Sequence, residues 1–430
     1  MRNLFPRVHR VFRSFRVFRA RPHLLVSAVA GLSLLFAAAC GGGGSGTVQP
    51  PPPPPPAGVT LYPTTGSGPE DVVLGDFDGD GDLDVATANT GAVGSTNVVT
   101  LFENPGSGLL KPGVSVAVTP ASLAWSSIAL AVGDLDGNAF ADLVVLFVDG
   151  DSYAVVPGAS TLAGMTALTA VAPSAMAGSF PQALALGNFD ADAGGKPDLA
   201  VALSATDQVL IFPGTGTGSF GATPVTIATP IGSSPWGVAG GDLNRDGMLD
   251  VAAVGLSGTP VTGDPLVYGF LGSAFTVPVL GENRPGSQLD ADLAVGDLNG
   301  DGFADAVRSF YDTGSVGVFW ATTVAGGGLS PGDLAWHTTY GAVNVPRDVV
   351  LADDDGDSDR DIFVTGGGAS GVVGVLHNGP ALNAGTFTWA TTLATYATPV
   401  ALAVGDLDGN GVLDIVTVHP ASSQIAVRLR

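Results

Sequence analysis

Seven times, at intervals of 58, 54, 54, 55, 56 and 53 residues, the chain returns to one short acidic loop, beginning at Asp76, Asp134, Asn188, Asp242, Asp297, Asp353 and Asp406. A period of this length dictates a repeat architecture, because one such unit cannot bury its own apolar face and must stack on its neighbours. The first copy is GDFDGDGDLD, Gly75 to Asp84. Counting from Asp76, acids stand at positions one, three, five, seven and nine, with Gly81 at position six. That is the spacing of a calcium loop: side-chain oxygens at one, three and five, a backbone carbonyl at seven, and a glycine for the sharp turn. The plainer alternative is an exposed turn whose aspartates bond their own backbone. An EF-hand is excluded, since the residue it requires to be Glu is Thr87 in the first copy and Ala253 in the fourth.

Strand patterns flank every loop. Before it come short apolar runs such as Val72-Val73-Leu74-Gly75, Leu130-Ala131-Val132-Gly133 and Leu293-Ala294-Val295-Gly296, as expected of strands buried on both faces. Five of these begin at a proline, Pro69, Pro181, Pro235, Pro346 and Pro399, a residue tolerated at a strand's first position. After each loop follows a second run (Asp84-Val85-Ala86, Asp414-Ile415-Val416). A third run comes next (98–102, 209–212, 316–320, 373–376), and a Thr/Val-rich fourth follows it (114–119, 223–229, 387–393). Four strands per period make a propeller blade, so the expected fold is all-β: a seven-bladed β-propeller with four-stranded blades and calcium loops between strands one and two. The last repeat ends one strand short at Arg430, and 59–62 ahead of the first repeat has the character of a fourth strand. An open edge exposes unpaired backbone groups, so this segment is expected to pair antiparallel with 424–430 and close the ring.

The pattern G-D-[FL]-[DN]-x-[DN]-G-x-x-D between two inner strands resembles the FG-GAP or VCBS repeat, seen in the integrin alpha-chain propeller and in many bacterial surface proteins. The resemblance spans 58–430 and implies a propeller that binds calcium; the scaffold hosts adhesins, lectins and accessory domains of polysaccharide-degrading enzymes. The candidate ligands in the first loop are Asp76, Asp78, Asp80, Asp82 and Asp84, and in the second Asp134, Asp136, Asn138 and Asp142. The third offers Asn188, Asp190, Asp192 and Asp198, and the fourth Asp242, Asn244, Asp246, Met248 and Asp250. The fifth supplies Asp297, Asn299, Asp301, Phe303 and Asp305, and the sixth Asp353, Asp355, Asp357, Asp359 and Asp361. The seventh has Asp406, Asp408, Asn410, Val412 and Asp414. The loops of Asp76, Asp242, Asp297 and Asp406 carry the full set with the glycine, giving four expected Ca²⁺ sites of up to seven. The other three depart: Ala139 and Ser358 replace the glycine, and the third loop starts with Asn188 and has two extra residues before Asp198.

The N-terminal region says where such a disc works. Residues 1–23 hold seven arginines and no acid, and the apolar run 24–39 that follows is shorter than the ~20 residues of a membrane span. It ends in Ala37-Ala38-Ala39-Cys40, which resembles a bacterial lipobox and implies lipidation at Cys40, the single cysteine of the chain. Residues 1–39 thus read as a lipoprotein signal peptide, 40–57 as a lipidated Cys with a Gly/Pro-rich tether, and 58–430 as the propeller. The seven prolines 50–56 form a stiff spacer of ~3.1 Å per residue.

The net charge is −23, yet all 39 acids follow Cys40, and 26 of them sit in the seven loops. Such a surface excludes nucleic acid as a partner and gives bound cations a charge to cancel. No G-x-S-x-G, no H-E-x-x-H and no second thiol is present, and three histidines, His337, His377 and His419, fall in separate repeats. The expectation is therefore a non-enzymatic monomer: a calcium-binding, lipid-anchored envelope module, exported and held at the membrane only by its lipid, that recognises a protein or glycan. The face opposite the loops gathers Trp125, Trp236, Arg284, Tyr311 and Arg347, residue types suited to a recognition surface. The alternative is a lyase-like, polysaccharide-active enzyme using a bound calcium, which needs a base converging on an open metal site.

Overall fold

The computed structural model describes residues 54–430 except 91–98, 119–127, 148–149, 169, 191, 193, 230–231, 256–265, 271–278, 281–289, 312, 322–333, 368–370, 380–384 and 397. Cys40 and the signal segment, Trp125 and Arg284 lie outside the described residues.

The first repeat forms an antiparallel sheet of Pro69–Gly75, Asp84–Asn89, Val99–Phe102 and Val114–Val116, in chain order. Four more sheets repeat this order within 181–228, 235–280, 290–341 and 346–394. The last contains Leu402–Gly405, Asp414–His419 and Gln424–Arg428. Its outer strand is Val59–Pro63, paired antiparallel from Val59↔Arg428 to Pro63↔Gln424. The two ends of the fold are thus joined as the edge-strand argument required.

The expectation of seven four-stranded blades is corrected to six. In the second repeat the described strands are Ile128–Gly133, Asp142–Phe147 and Ser152–Val156, a sheet of three. The chain beyond them makes one isolated bridge to that sheet, Tyr153↔Val171, and two 3-10 turns, Leu162–Gly164 and Ser174–Met176. Pro157 and Pro173 remove donors that a fourth strand would use, and no alternating run lies between them.

The first strands contact one another in sequence order, and that of the last sheet contacts that of the first, which closes a β-propeller. This packing explains the apolar runs. The second strand of every repeat is buried at all six positions, because neighbouring sheets cover both its faces. Outer strands such as Phe387–Ala394 are largely exposed.

Neighbouring repeats meet tightly at most of the glycines that precede the loops; Ala352 stands in that place before the sixth. A Cβ on Gly241 would lie 2.4 Å from Val295 and 2.8 Å from Ala304 of the next repeat. On Gly405 it would lie 2.8 Å from Leu83, across the seam where the ring closes. The eighth loop residue of one repeat therefore packs where the glycine of the previous one leaves room.

Candidate metal centre

All seven acidic loops occupy the same place in their repeats, between first and second strands, so they open on one face of the ring. The acid at position nine has a structural task. Asp84, Asp142, Asp198, Asp250, Asp305, Asp361 and Asp414 are all buried. Each accepts the N–H of loop position two, for example Leu135 at 2.7 Å, Leu298 at 3.0 Å and Leu407 at 2.9 Å. In six repeats its other oxygen accepts an N–H from the end of the third strand or just past it: Asn104, Gly158, Gly214, Ala321, Asn378 and Arg430. Burial pushes Asp84 up to about 7, Asp305 to about 8 and Asp361 to about 6, against the backbone N–H groups that hold each of them. A cation at the loop would reverse that shift.

Position one shapes the turn. Asp76 Oδ1 accepts the Gly79 N–H at 2.7 Å and Oδ2 that of Gly81 at 3.1 Å. The second and sixth loops repeat this through Asp134 and Asp353. The turn bonds of the plain alternative are therefore present, but they do not use every oxygen. Asp78 Oδ1 is buried and makes no hydrogen bond. Its carboxyl is raised by burial first, then by the charges of Asp80, Glu103 and Asp76. A turn has no use for such an oxygen, whereas a divalent cation does.

Three acids come together, each offering an oxygen within 4.8 Å of the others, in four loops: Asp76/Asp78/Asp84, Asp134/Asp136/Asp142, Asp353/Asp355/Asp357 and Asp406/Asp408/Asp414. Two of these are loops whose glycine is replaced. Ala139 (φ 72°) and Ser358 (φ 77°) take the left-handed conformation that Gly81 (φ 95°) takes, so the replacement leaves the turn intact.

The other three loops bring no such acid trio together among the described residues. In the third, Lys196 Nζ lies 3.1 Å from Asp192 Oδ2, so the loop supplies its own cation. The fourth and fifth have the amides Asn244 and Asn299 at position three. Arg245 of the fourth loop donates to the Asp301 carbonyl of the fifth at 2.9 Å. Part-buried Arg360 of the sixth packs on Gly296 and interacts with Asp297. Two guanidinium groups therefore flank the fifth loop.

Three features escaped the sequence reading. Asn104, two residues past the third strand, and Asn378, the last residue of the third strand in its repeat, each donate through Nδ2 to the neighbouring loop, at Leu407 O (2.8 Å) and Leu298 O (2.6 Å). The recurring Asn was the available signal. In the sixth loop Asp354 replaces the buried apolar residue of position two and pairs with Arg430 and with His377 Nε2 at 2.8 Å. Burial opposes its ionisation, but Arg430 and His377 hold its carboxyl below the ordinary value. Finally, first-strand acids clasp adjacent repeats: Asp71 accepts from Leu130 N at 2.8 Å, Asp292 from Val349 N at 3.2 Å, and Asp348 from Leu402 N at 2.5 Å.

On the opposite face, Arg347 lies over the Tyr311 ring at 5.3 Å, both part-exposed, and Trp236 is part-exposed. His419 is buried against Thr417 at 2.9 Å, whereas His337 is exposed and lies against Trp320.

The profile of the FG-GAP-like repeat matches residues 76–145, 189–253 and 353–417. With the ring of sheets, this makes the chain a β-propeller that carries FG-GAP-like repeats over those residues. Among curated proteins none matches its sequence. Similar solved structures share the fold at low identity. A lectin of Agrocybe aegerita that recognises non-reducing terminal N-acetylglucosamine is 17% identical, with a TM-score of 0.50, over 83% of this chain and 86% of that one. A putative 6-phosphogluconolactonase of Bacteroides uniformis is 13% identical, with a TM-score of 0.53, over 77% and 87%. BBS1N, solved in complex with ARL6DN, is 12% identical, with a TM-score of 0.51, over 86% and 95%.

Proposed function

We propose that this propeller is a calcium-binding recognition module of the bacterial cell envelope. It is exported by residues 1–39, lipid-anchored at Cys40, and held off the membrane by the Gly/Pro tether. The three-stranded second sheet is counted as a blade of a seven-repeat ring. Calcium is assigned to the first, second, sixth and seventh loops, which are consecutive around the ring. The observation that carries this reading is Asp78 Oδ1, a buried carboxylate oxygen with no hydrogen-bond partner, within an acid trio whose positions recur in the second and seventh loops, the sixth forming its trio from positions one, three and five. Hard oxygen donors of this kind suit Ca²⁺, and extracellular modules bind it at about 10⁻⁴–10⁻³ M. The partner is a protein or a glycan, met by the face opposite the acidic loops or by the seams between blades; nucleic acid is excluded by charge.

The test is thermal melting of residues 40–430 in millimolar calcium and in chelator. Calcium raises the midpoint if the loops are sites; identical curves would sink the assignment. A Cys40→Ser chain that still fractionates with membranes would remove the anchor.

A second reading has one observation in its favour. His377 Nδ1 lies 3.5 Å from Asp355 Oδ2, which puts an imidazole beside a candidate metal loop, as a lyase-like enzyme requires. The bond from its Nε2 to Asp354 and the Asp354–Arg430 pair favour a structural role. Loss of activity toward an acidic polysaccharide in His377→Gln, with calcium binding retained, would promote the enzymatic reading.

A further inference from the structure

We infer that a cleft between the second and third repeats binds one neutral pyranose ring, a reading that rests on the recognition function proposed above and names its ligand class. The second sheet stops at its third strand, and among the described residues the returning chain hydrogen-bonds to that strand through the Tyr153↔Val171 bridge and the Leu168 N–H on Val155 O at 2.8 Å, while Leu162, Met165 and Met176 pack into the core beneath. Between this returning segment and the third repeat lies a cleft of about 250 Å³, bounded by Tyr153, Val171, Pro173, Ser174, Ser219 and Phe220. That volume falls below the ~300–1,000 Å³ typical of sites for drug-sized ligands, and so suits a single ring.

Tyr153 is the telling residue. It is 3% exposed, its ring stands edge-on to Phe220 at 5.6 Å and lies 5.9 Å from Phe212, and burial alone pushes its hydroxyl up to about 12. That hydroxyl makes no hydrogen bond to any described residue, yet it is not sealed from solvent. A phenol in an apolar setting ordinarily finds a partner, and here the open side is the cleft. Around it the surface is divided. Phe220, Val171 and Pro173 offer an apolar wall, and Ser174 and Ser219 offer hydroxyls. Ser219 Oγ belongs to a hydroxyl group with Thr215 (2.8 Å) and Thr217 (3.4 Å).

A pyranose has the matching division: a C–H face for the wall and hydroxyls for Tyr153, Ser174 and Ser219. An apolar peptide side chain would fill the wall and leave the Tyr153 hydroxyl unbonded. No charged residue lines the cleft, and the chain's net charge of −23 repels anionic sugars, so the ring is a neutral one.

The test is saturation-transfer NMR of the mature chain with glucose, galactose, mannose and their N-acetylamino forms. It compares the wild type with Tyr153→Phe and with Ala222→Trp, which fills the cleft from an exposed position. The expected result is transfer to at least one of these sugars, about 5-fold weaker binding in Tyr153→Phe, and none in Ala222→Trp, with wild-type melting in both. No transfer to any of them, or transfer unchanged in both variants, overturns the site. Capture of an envelope glycan or protein that survives Ala222→Trp overturns it while leaving the recognition function standing. An apolar peptide that competes at the cleft overturns the ligand class.

Discussion

At the residue scale the loop is a set of separate demands that share one motif. Position nine is an acid in every copy and holds backbone N–H groups, and position one must offer a side-chain oxygen to bend the turn, as Asp76 and Asn188 both do. Position six must accept a left-handed backbone. That last demand is conformational, so Ala139 meets it at some strain. Replacing it by glycine exchanges a left-handed penalty of ~1–2 kcal/mol for a chain-entropy loss of ~0.5–1 kcal/mol. Ala139→Gly is therefore expected to stabilise the protein by up to about 1 kcal/mol in denaturant unfolding. Gly241→Ala is expected to do the opposite. Its new Cβ meets Val295 at 2.4 Å, and overpacking of this kind costs about 1–3 kcal/mol. Equal stability of the two variants would show that the glycines mark turn chemistry alone.

At the scale of strands and seams, most of the sheet order was legible because the loop motif aligns the apolar runs beside it. Closure by Val59–Pro63 was legible too, since a missing strand at one end matched a spare one at the other. Deleting 58–63 should lower the melting temperature far more than deleting 50–56, and matching curves would contradict the pairing. The missing fourth strand of the second repeat was not legible from period alone, because the period counts residues and 157–180 spends them on turns. The inter-repeat acids were also hidden, since Pro-x-Asp at Asp71 and Asp348 and Asp-Ala-Asp at Asp292 read locally as polar strand starts. Asp292 is one of them. Burial first, then the charge and hydrogen bond of Asp348, raise its carboxyl well above the ordinary range. The folded state then holds a proton that the unfolded chain releases near pH ~3.9, so this contribution is full below that pH and is lost as pH rises through the raised value. In chelator, melting temperature should fall with rising pH less steeply in Asp292→Asn than in the wild type. Parallel slopes would remove the shared proton.

At the scale of the whole molecule, the ring divides into two arcs. The sixth, seventh, first and second loops bring acid trios together, and the third to fifth are served by Lys196, Arg245 and Arg360. Sequence counting weighted glycine and full oxygen sets, and so preferred the fourth and fifth loops. What it could not see is that side chains from adjacent loops reach across the seams, which only the closed ring brings within range. The central claim is that the acidic loops of this propeller are metal sites rather than bare turns. Calorimetric titration of the metal-free mature chain with calcium tests it most directly. The account predicts saturable binding of about four ions per chain in the ~10⁻⁴–10⁻³ M range; no saturable heat would contradict the claim, and seven equivalent ions would contradict the division into arcs.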